Sequence, residues 1–315
     1  MSPLTYDAIV VGSGISGGWA AKELTEKGLR TIVLEAGRPI EPAVDYVEHV
    51  RPHELRYRGM GDRARIERYQ PIQKQCGACN EYSGKFFVND LDNPYTTPDD
   101  KPFSWIRGRQ VGGRSIMWGR CVFRWSDLDY TANLREGVGV DWPIRYADMA
   151  PWWSHVERFV GVQGRKENLA HLPDGEFLEP WPMNVAEQRA REALLQKFGG
   201  ERLVTNMRLA VLSENHLGRA KCHLCGHCER GCSTFSYFSS LNATLPAAGT
   251  AWSASGSQTR PPRALSSASR ADQRASCSCD GATPAVPMNA PFGMRTPGSW
   301  GEVAYSGVMS QCATK

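Results

Sequence analysis

All seven histidines of this 315-residue chain lie at or before His227, so its last quarter offers no imidazole for proton transfer. The same region is poor in aliphatic residues. After Ala248 it holds no isoleucine, one leucine (Leu265) and three valines (Val286, Val303, Val308). Text so rich in Ser, Arg, Pro, Ala and Gly cannot bury enough surface to offset its ordering entropy. Residues 248–315 therefore read as a low-complexity tail, either disordered or the product of out-of-frame translation of a GC-rich gene. No apolar run approaches the roughly 20 residues of a membrane span. The 37 Lys and Arg against 33 Asp and Glu give a formal charge of +4, and no basic tract is interleaved with aromatics, which argues against a nucleic-acid partner. The first strand begins within six residues, leaving no room for a leader. The expected location is cytoplasmic, with export on a signal-bearing partner still open.

What is present begins with glycine. Gly12-Ser13-Gly14-Ile15-Ser16-Gly17-Gly18 follows the apolar run Ala8–Val11 and precedes a helical stretch that Gly28 stops. Leu29–Leu34 then reads as a second buried strand ending in Glu35. This is the strand–turn–helix–strand unit of a dinucleotide-binding fold. Gly12 allows the tight turn, Gly14 lets backbone approach a pyrophosphate, and Gly17 permits close helix packing. The helix N-terminus turns free N–H groups toward the phosphates. Glu35 stands where a carboxylate meets ribose hydroxyls, which argues for FAD or NAD over NADP.

Residues 41–100 are proline-marked and loop-rich. A second glycine block follows, Gly108-Arg109-Gln110-Val111-Gly112-Gly113-Arg114-Ser115-Ile116-Met117-Trp118-Gly119. Helices are expected from about Ala147 to Val160, with Pro151 near the first turn, and over 185–198, closed by Gly199-Gly200. Cys222, Cys225, Cys228 and Cys232 have the C-x2-C-x2-C-x3-C spacing of iron–sulfur ligands. Three of these thiolates could hold a three-iron cluster, or Cys232 or a remote cysteine could complete a four-iron one. Zinc and unmetallated thiols are the alternatives, and His223 and His227 read as loop residues. Cys76 and Cys79 read as ordinary loop thiols, and Cys121 as a packed one.

Together these blocks resemble the glucose–methanol–choline family of FAD-dependent oxidoreductases, in particular the branch with gluconate and glucose dehydrogenase flavoprotein subunits. The likeness also rests on Glu35-Ala36-Gly37, Asp141-Trp142-Pro143-Ile144 and Ser239-Ser240-Leu241-Asn242-Ala243-Thr244-Leu245-Pro246. It implies an α/β fold, an incomplete Rossmann-like FAD-binding core over residues 1–247. It implies FAD held by Gly12, Ser13, Gly14, Gly17, Gly18, Glu35, Ala36, Arg109, Gly112, Gly113, Ser115 and Gly119. An iron–sulfur centre at the four cysteines, an alcohol or sugar substrate, a small subunit and a quinone or cytochrome acceptor follow from the same likeness. The family's histidine base belongs to a late segment with no counterpart here, so no catalytic residue is assigned. An inactive truncated remnant, a NAD-dependent dehydrogenase and a stand-alone electron-transfer module remain as other readings.

Overall fold

The computed structural model describes residues 5–51, 53–55, 57, 61–253, 265–267 and 304–306. Strand β1 (Ala8–Val11) is paired in parallel with β2 (Thr31–Glu35), placing Val10 opposite Val33 and Val11 opposite Leu34. Between them runs α1 (Ile15–Glu26), whose chain turns back at Gly28 with φ +84°. The β-branched residues of the strands and the small face of the helix explain this unit, since Val10, Val33 and Ala21 bury one another with Leu24 against them. A βαβ crossover is the only short way to join parallel neighbours. The expected mixed α/β architecture is present.

Residues 36–145 wrap this unit with loops and the short helices α2 (Pro42–Asp45), α3 (Arg63–Tyr69), α4 (Asp127–Tyr130) and α5 (Ala132–Glu136). Helix α6 (Tyr146–Val160) ends at Gly161, and α7 (Val185–Phe198) ends at Gly199, both glycines in the left-handed region. Asn184 caps α7 by accepting from Glu187 N–H, while the Glu187 carboxylate accepts from Asn184 N–H. Pro151 sits deeper in α6 than expected, as its sixth residue. Its missing N–H falls on an exposed part of the helix, where water can serve the freed carbonyl. After β3 (Val204–Asn206), the chain passes through the cysteine run to a π-helical turn at Ser240–Thr244. That turn continues directly into α8 (Leu245–Ser253). Two short strands, β4 (Leu265–Ser267) and β5 (Ala304–Ser306), lie parallel beside β2 and β3. The rest of the expected 248–315 tail lies outside the described residues. No helix among the described residues is long and apolar enough to cross a membrane.

The largest apolar cluster joins Val160, Val162, Ala210, Phe238 and Ala243 to Trp19 of α1, so the far half of the chain packs onto the back of the nucleotide-type unit. Buried ion pairs hold that half together. Glu157, 1% exposed, accepts from Arg124 Nε (2.9 Å) and Nη2 (2.6 Å), and from Glu176 N–H (2.8 Å). Glu167 accepts from both Arg191 terminal nitrogens at 2.8 Å and from the Thr205 hydroxyl at 2.7 Å.

Glu157→Gln leaves the Arg124 charge buried without its counter-ion and is expected to cost about 3–5 kcal/mol in denaturant unfolding. The double variant Arg124→Met/Glu157→Met should recover part of that loss. Equal losses in both would show that the charge imbalance is not the cause. Burial alone would raise the Glu167 carboxyl, but Arg191 and Thr205 outweigh it and hold the group below its ordinary value of 4.5. A depressed carboxyl stabilises the fold above its unfolded pKa, and this contribution fades as pH falls through the lower folded value. Acid unfolding curves should therefore flatten below about pH 4.5 in Glu167→Gln relative to the parent.

Candidate functional site

Gly12 continues the ladder, its N–H donating to Leu34 O at 2.7 Å, and then turns with φ +88°, a conformation that favours glycine. A methyl on Gly17 would lie 2.0 Å from Gly12 O, so α1 can approach the turn only with glycine there. Gly14 is different. It is the N-cap of α1, no side chain caps that end, and a methyl built on it meets nothing within 4 Å. The first-turn N–H groups of α1 thus lie beside open space. Gly18 has a packing contact of its own. It faces the π-helical turn, and a methyl there would strike Thr244 Oγ1 at 2.4 Å and Ser240 Oγ at 2.6 Å.

Three blocks far apart in sequence meet at this loop through three serine hydroxyls. Ser13 Oγ–H donates to Glu35 Oε2 (2.6 Å) and accepts from Gly112 N–H (2.9 Å). Ser13 N–H also donates to Glu35 Oε2 (2.9 Å), while Glu35 Oε1 accepts from Gly37 N–H (2.7 Å). Ser115 Oγ–H donates to Gly112 O (2.5 Å) and accepts from Ser240 N–H (2.9 Å). Ser240 Oγ–H closes the circuit on Gly14 O (2.9 Å). Backbones touch as well. A methyl on Gly113 would meet Gly14 Cα at 3.1 Å, and one on Gly37 would meet Gln110 N at 2.3 Å.

The structure thus gathers Gly12, Ser13, Gly14, Gly17, Glu35, Gly112, Gly113 and Ser115 at one place. Ala36 lies at the exposed end of β2, Arg109 is exposed and tied to Asn93 Oδ1 (2.6 Å), and Gly119 is exposed with only Cys121 nearby. Ser240 and Thr244 were missed as site residues, although their segment carries the resemblance. Their signal was the proximity of that segment to a glycine, which no periodicity reveals.

The cysteine loop is anchored to residues 46–50. Val47 N–H donates to Arg230 O, Ser233 N–H donates to buried Glu48, and Gly231 lies where a methyl would enter the Tyr46 ring. Arg120 donates to Cys228 O at 2.9 Å and stacks over Tyr237. Cys232 is turned into an apolar cluster with Leu209, Val211 and Tyr237, with Cys222 and Cys228 packed against it. The Cys222 sulfur accepts from Leu224 N–H at 3.3 Å. Burial, with Cys222 and Cys232 beside it, pushes the Cys225 thiol up. Among the described residues, no three His, Cys, Asp or Glu side chains gather in a geometry able to hold a metal ion. The iron–sulfur centre expected at these four cysteines is therefore not shown, and Cys232 here belongs to an apolar cluster. Burial also pushes Cys79 up to about 12, as for an inert packed thiol.

No protein-family model matches the chain. Over 231 residues it is 26% identical to a 6'''-hydroxyparomomycin C oxidase of Streptomyces lividus, covering 70% of this chain and 36% of that protein. It is 26% identical over 184 residues to a fructose dehydrogenase large subunit of Gluconobacter japonicus, covering 57% and 31% respectively. It is 27% identical over 174 residues to a gluconate 2-dehydrogenase flavoprotein of Pantoea cypripedii, covering 50% and 25%. Its relatives are glucose–methanol–choline-type flavin oxidoreductases. The chain spans about a quarter to a third of the length of these relatives. The expected resemblance to the glucose–methanol–choline family is therefore shown, including its dehydrogenase branch.

Ser13→Ala removes the hydroxyl that serves both Glu35 and Gly112, leaving a buried N–H without its partner. The expected loss is about 1–3 kcal/mol in a urea titration. A loss no larger than that of an exposed serine would mean that the two blocks are held together by packing alone.

Proposed function

We propose that the chain is the FAD-binding part of a dehydrogenase acting on CH–OH groups of alcohols, sugars or sugar acids. One observation carries this reading: an open, uncapped helix end at Gly14, walled by Gly112–Ser115 and backed by an anchored carboxylate at Glu35. An uncapped first turn and its dipole favour a diphosphate. Gly12 and Gly14 leave room for backbone to approach it, which fits the group. Glu35 has both oxygens fixed by Ser13 and Gly37, so its remaining lone pairs are held in place for ribose hydroxyls. Ser13 and Ser115 keep the second glycine block over the loop and restrict water there.

FAD, when bound, supplies a two-electron acceptor for hydride from the substrate carbon. The accompanying hydroxyl proton needs a base whose pKa lies near the working pH. Three of the described histidines are hydrogen-bonded away from the glycine loop: His155 with Glu23, His216 with Arg158 O and His227 with Glu48 O. With no histidine after His227, the 315-residue chain alone is read as binding flavin without turning over substrate. A small subunit and a quinone or cytochrome acceptor belong to the same proposal. The cysteine loop enters no step of it.

Gly14→Ala tests the reading directly. Its backbone, at φ −63° and ψ −169°, suits alanine, so stability should hold or rise by about 0.4–1 kcal/mol. The methyl would occupy the space left for a phosphate and should weaken FAD binding about tenfold or more. Both effects are read by titrating the refolded chain with FAD and by thermal melts. Undiminished FAD binding in the variant, or nicotinamide binding in place of flavin in the parent, would overturn the assignment.

A further inference from the structure

Of the three serine hydroxyls at the glycine loop, those of Ser13 and Ser115 each accept from an N–H of another block. A buried N–H left without such an acceptor is costly. Ser240 does something else. Its hydroxyl donates to Gly14 O at 2.9 Å, yet that carbonyl already takes the helix bond from Gly18 N–H at 2.8 Å. The second bond is not needed to satisfy the oxygen. Two features of the fold nonetheless accommodate it. Fully buried Ser240 is the first residue of a π-helical turn, a conformation that is rare and recurs at functional sites. Gly18 has no side chain at the point where a methyl would lie 2.6 Å from Ser240 Oγ and 2.8 Å from its Cβ.

What the extra bond acts on is the peptide unit between Gly14 and Ile15. That unit is planar and trans, so its N–H points opposite to its C=O. Gly14 O is held from the side of the third block, and Ile15 N–H, the first of α1, faces the open helix end. Among the described residues, no backbone or side-chain group accepts from it. A second donor on the carbonyl oxygen fixes the peptide plane and polarises the amide, strengthening its N–H as a donor by about 10–30%. We propose that Ser240 is a positioning residue for the diphosphate of the flavin nucleotide. Acting through Gly14 O, it aims Ile15 N–H at a phosphate oxygen and makes it a better donor, and Gly18 is the glycine that admits it. The ligand rests on the flavin reading above, to which this adds a residue outside both glycine blocks.

Gly14-Ile15 is the only Gly–Ile pair in the sequence. Isotope labels on glycine carbonyl carbon and isoleucine nitrogen therefore give one NMR peak for this peptide in the full 315-residue chain. Three proteins are compared: the parent, Ser240→Cys, whose thiol is a weaker donor, and Ser240→Ala. Circular dichroism and thermal melts verify folding, and Ser240→Cys alone carries the comparison should Ser240→Ala not fold. The peak should shift progressively from parent to cysteine to alanine. Affinities for FAD and for inorganic pyrophosphate should fall in the same order, by about fivefold or more in Ser240→Ala. An unmoved peak overturns the inference, as does an affinity loss that follows the melting temperature rather than the peak. The two ligands separate this proposal from the flavin reading. FAD held equally by all three proteins fails only this one. Pyrophosphate bound in the expected order by a chain that takes no FAD fails only the other, and a parent that binds neither overturns both.

Discussion

The hydroxyl of Ser13 is the point on which the site depends. It is fully buried, and it both donates to Glu35 and accepts from Gly112. One side chain thereby fixes the end of β2 and the second glycine block relative to the first turn. Ser115 and Ser240 repeat the device one layer further out, tying the second block to the third and the third back to Gly14 O. Small polar side chains suit this role because glycine-rich backbones come too close for larger ones. The hydroxyls satisfy N–H and C=O groups that a turn cannot pair within itself. The cost is cooperativity: a break at Ser13 or Ser115 leaves a buried group without a partner.

Local features of this arrangement were legible in the sequence. β1, the Gly12 turn, α1 and β2 follow from an apolar run, a glycine turn and a second apolar run, each written within a few residues. Helix 185–198 was placed to the residue because Asn184 and Gly199 mark its ends chemically. The contacts that shape the site were not legible. The fit of Gly18 against Ser240 and Thr244 joins residues more than 200 positions apart, and neither end has a periodicity that names the other. Glu48 and Tyr46, which seat the cysteine loop, fall in a segment that reads only as proline-marked loop. Pro151 misled for a related reason: proline in a helix is tolerated wherever the lost bond faces solvent, and the sequence does not show which side that is.

The cysteine run shows how far a spacing can carry an argument. C-x2-C-x2-C-x3-C lets three sulfurs reach one centre from a tight loop, but it does not oblige them to. Here the loop fits Gly231 against Tyr46 and turns its carbonyls to Arg120 and Val47. Cys232, which would complete a set of four, is instead part of an apolar cluster.

The nucleotide-type unit is therefore supported unevenly. Behind it, α1 is pressed onto the Ser240–Thr244 turn and the cluster around Trp19 and Phe238. In front, the aliphatic strip of β1 and β2 is left to solvent. Fully burying one Val, Leu or Ile contributes about 1.5–3 kcal/mol, against a net domain stability of about 5–15 kcal/mol. Covering three such residues is thus comparable to the whole margin by which a domain folds. β1 also carries the Gly12 turn at its C-terminal end, so the precision of the glycine loop depends on how firmly this strand is held.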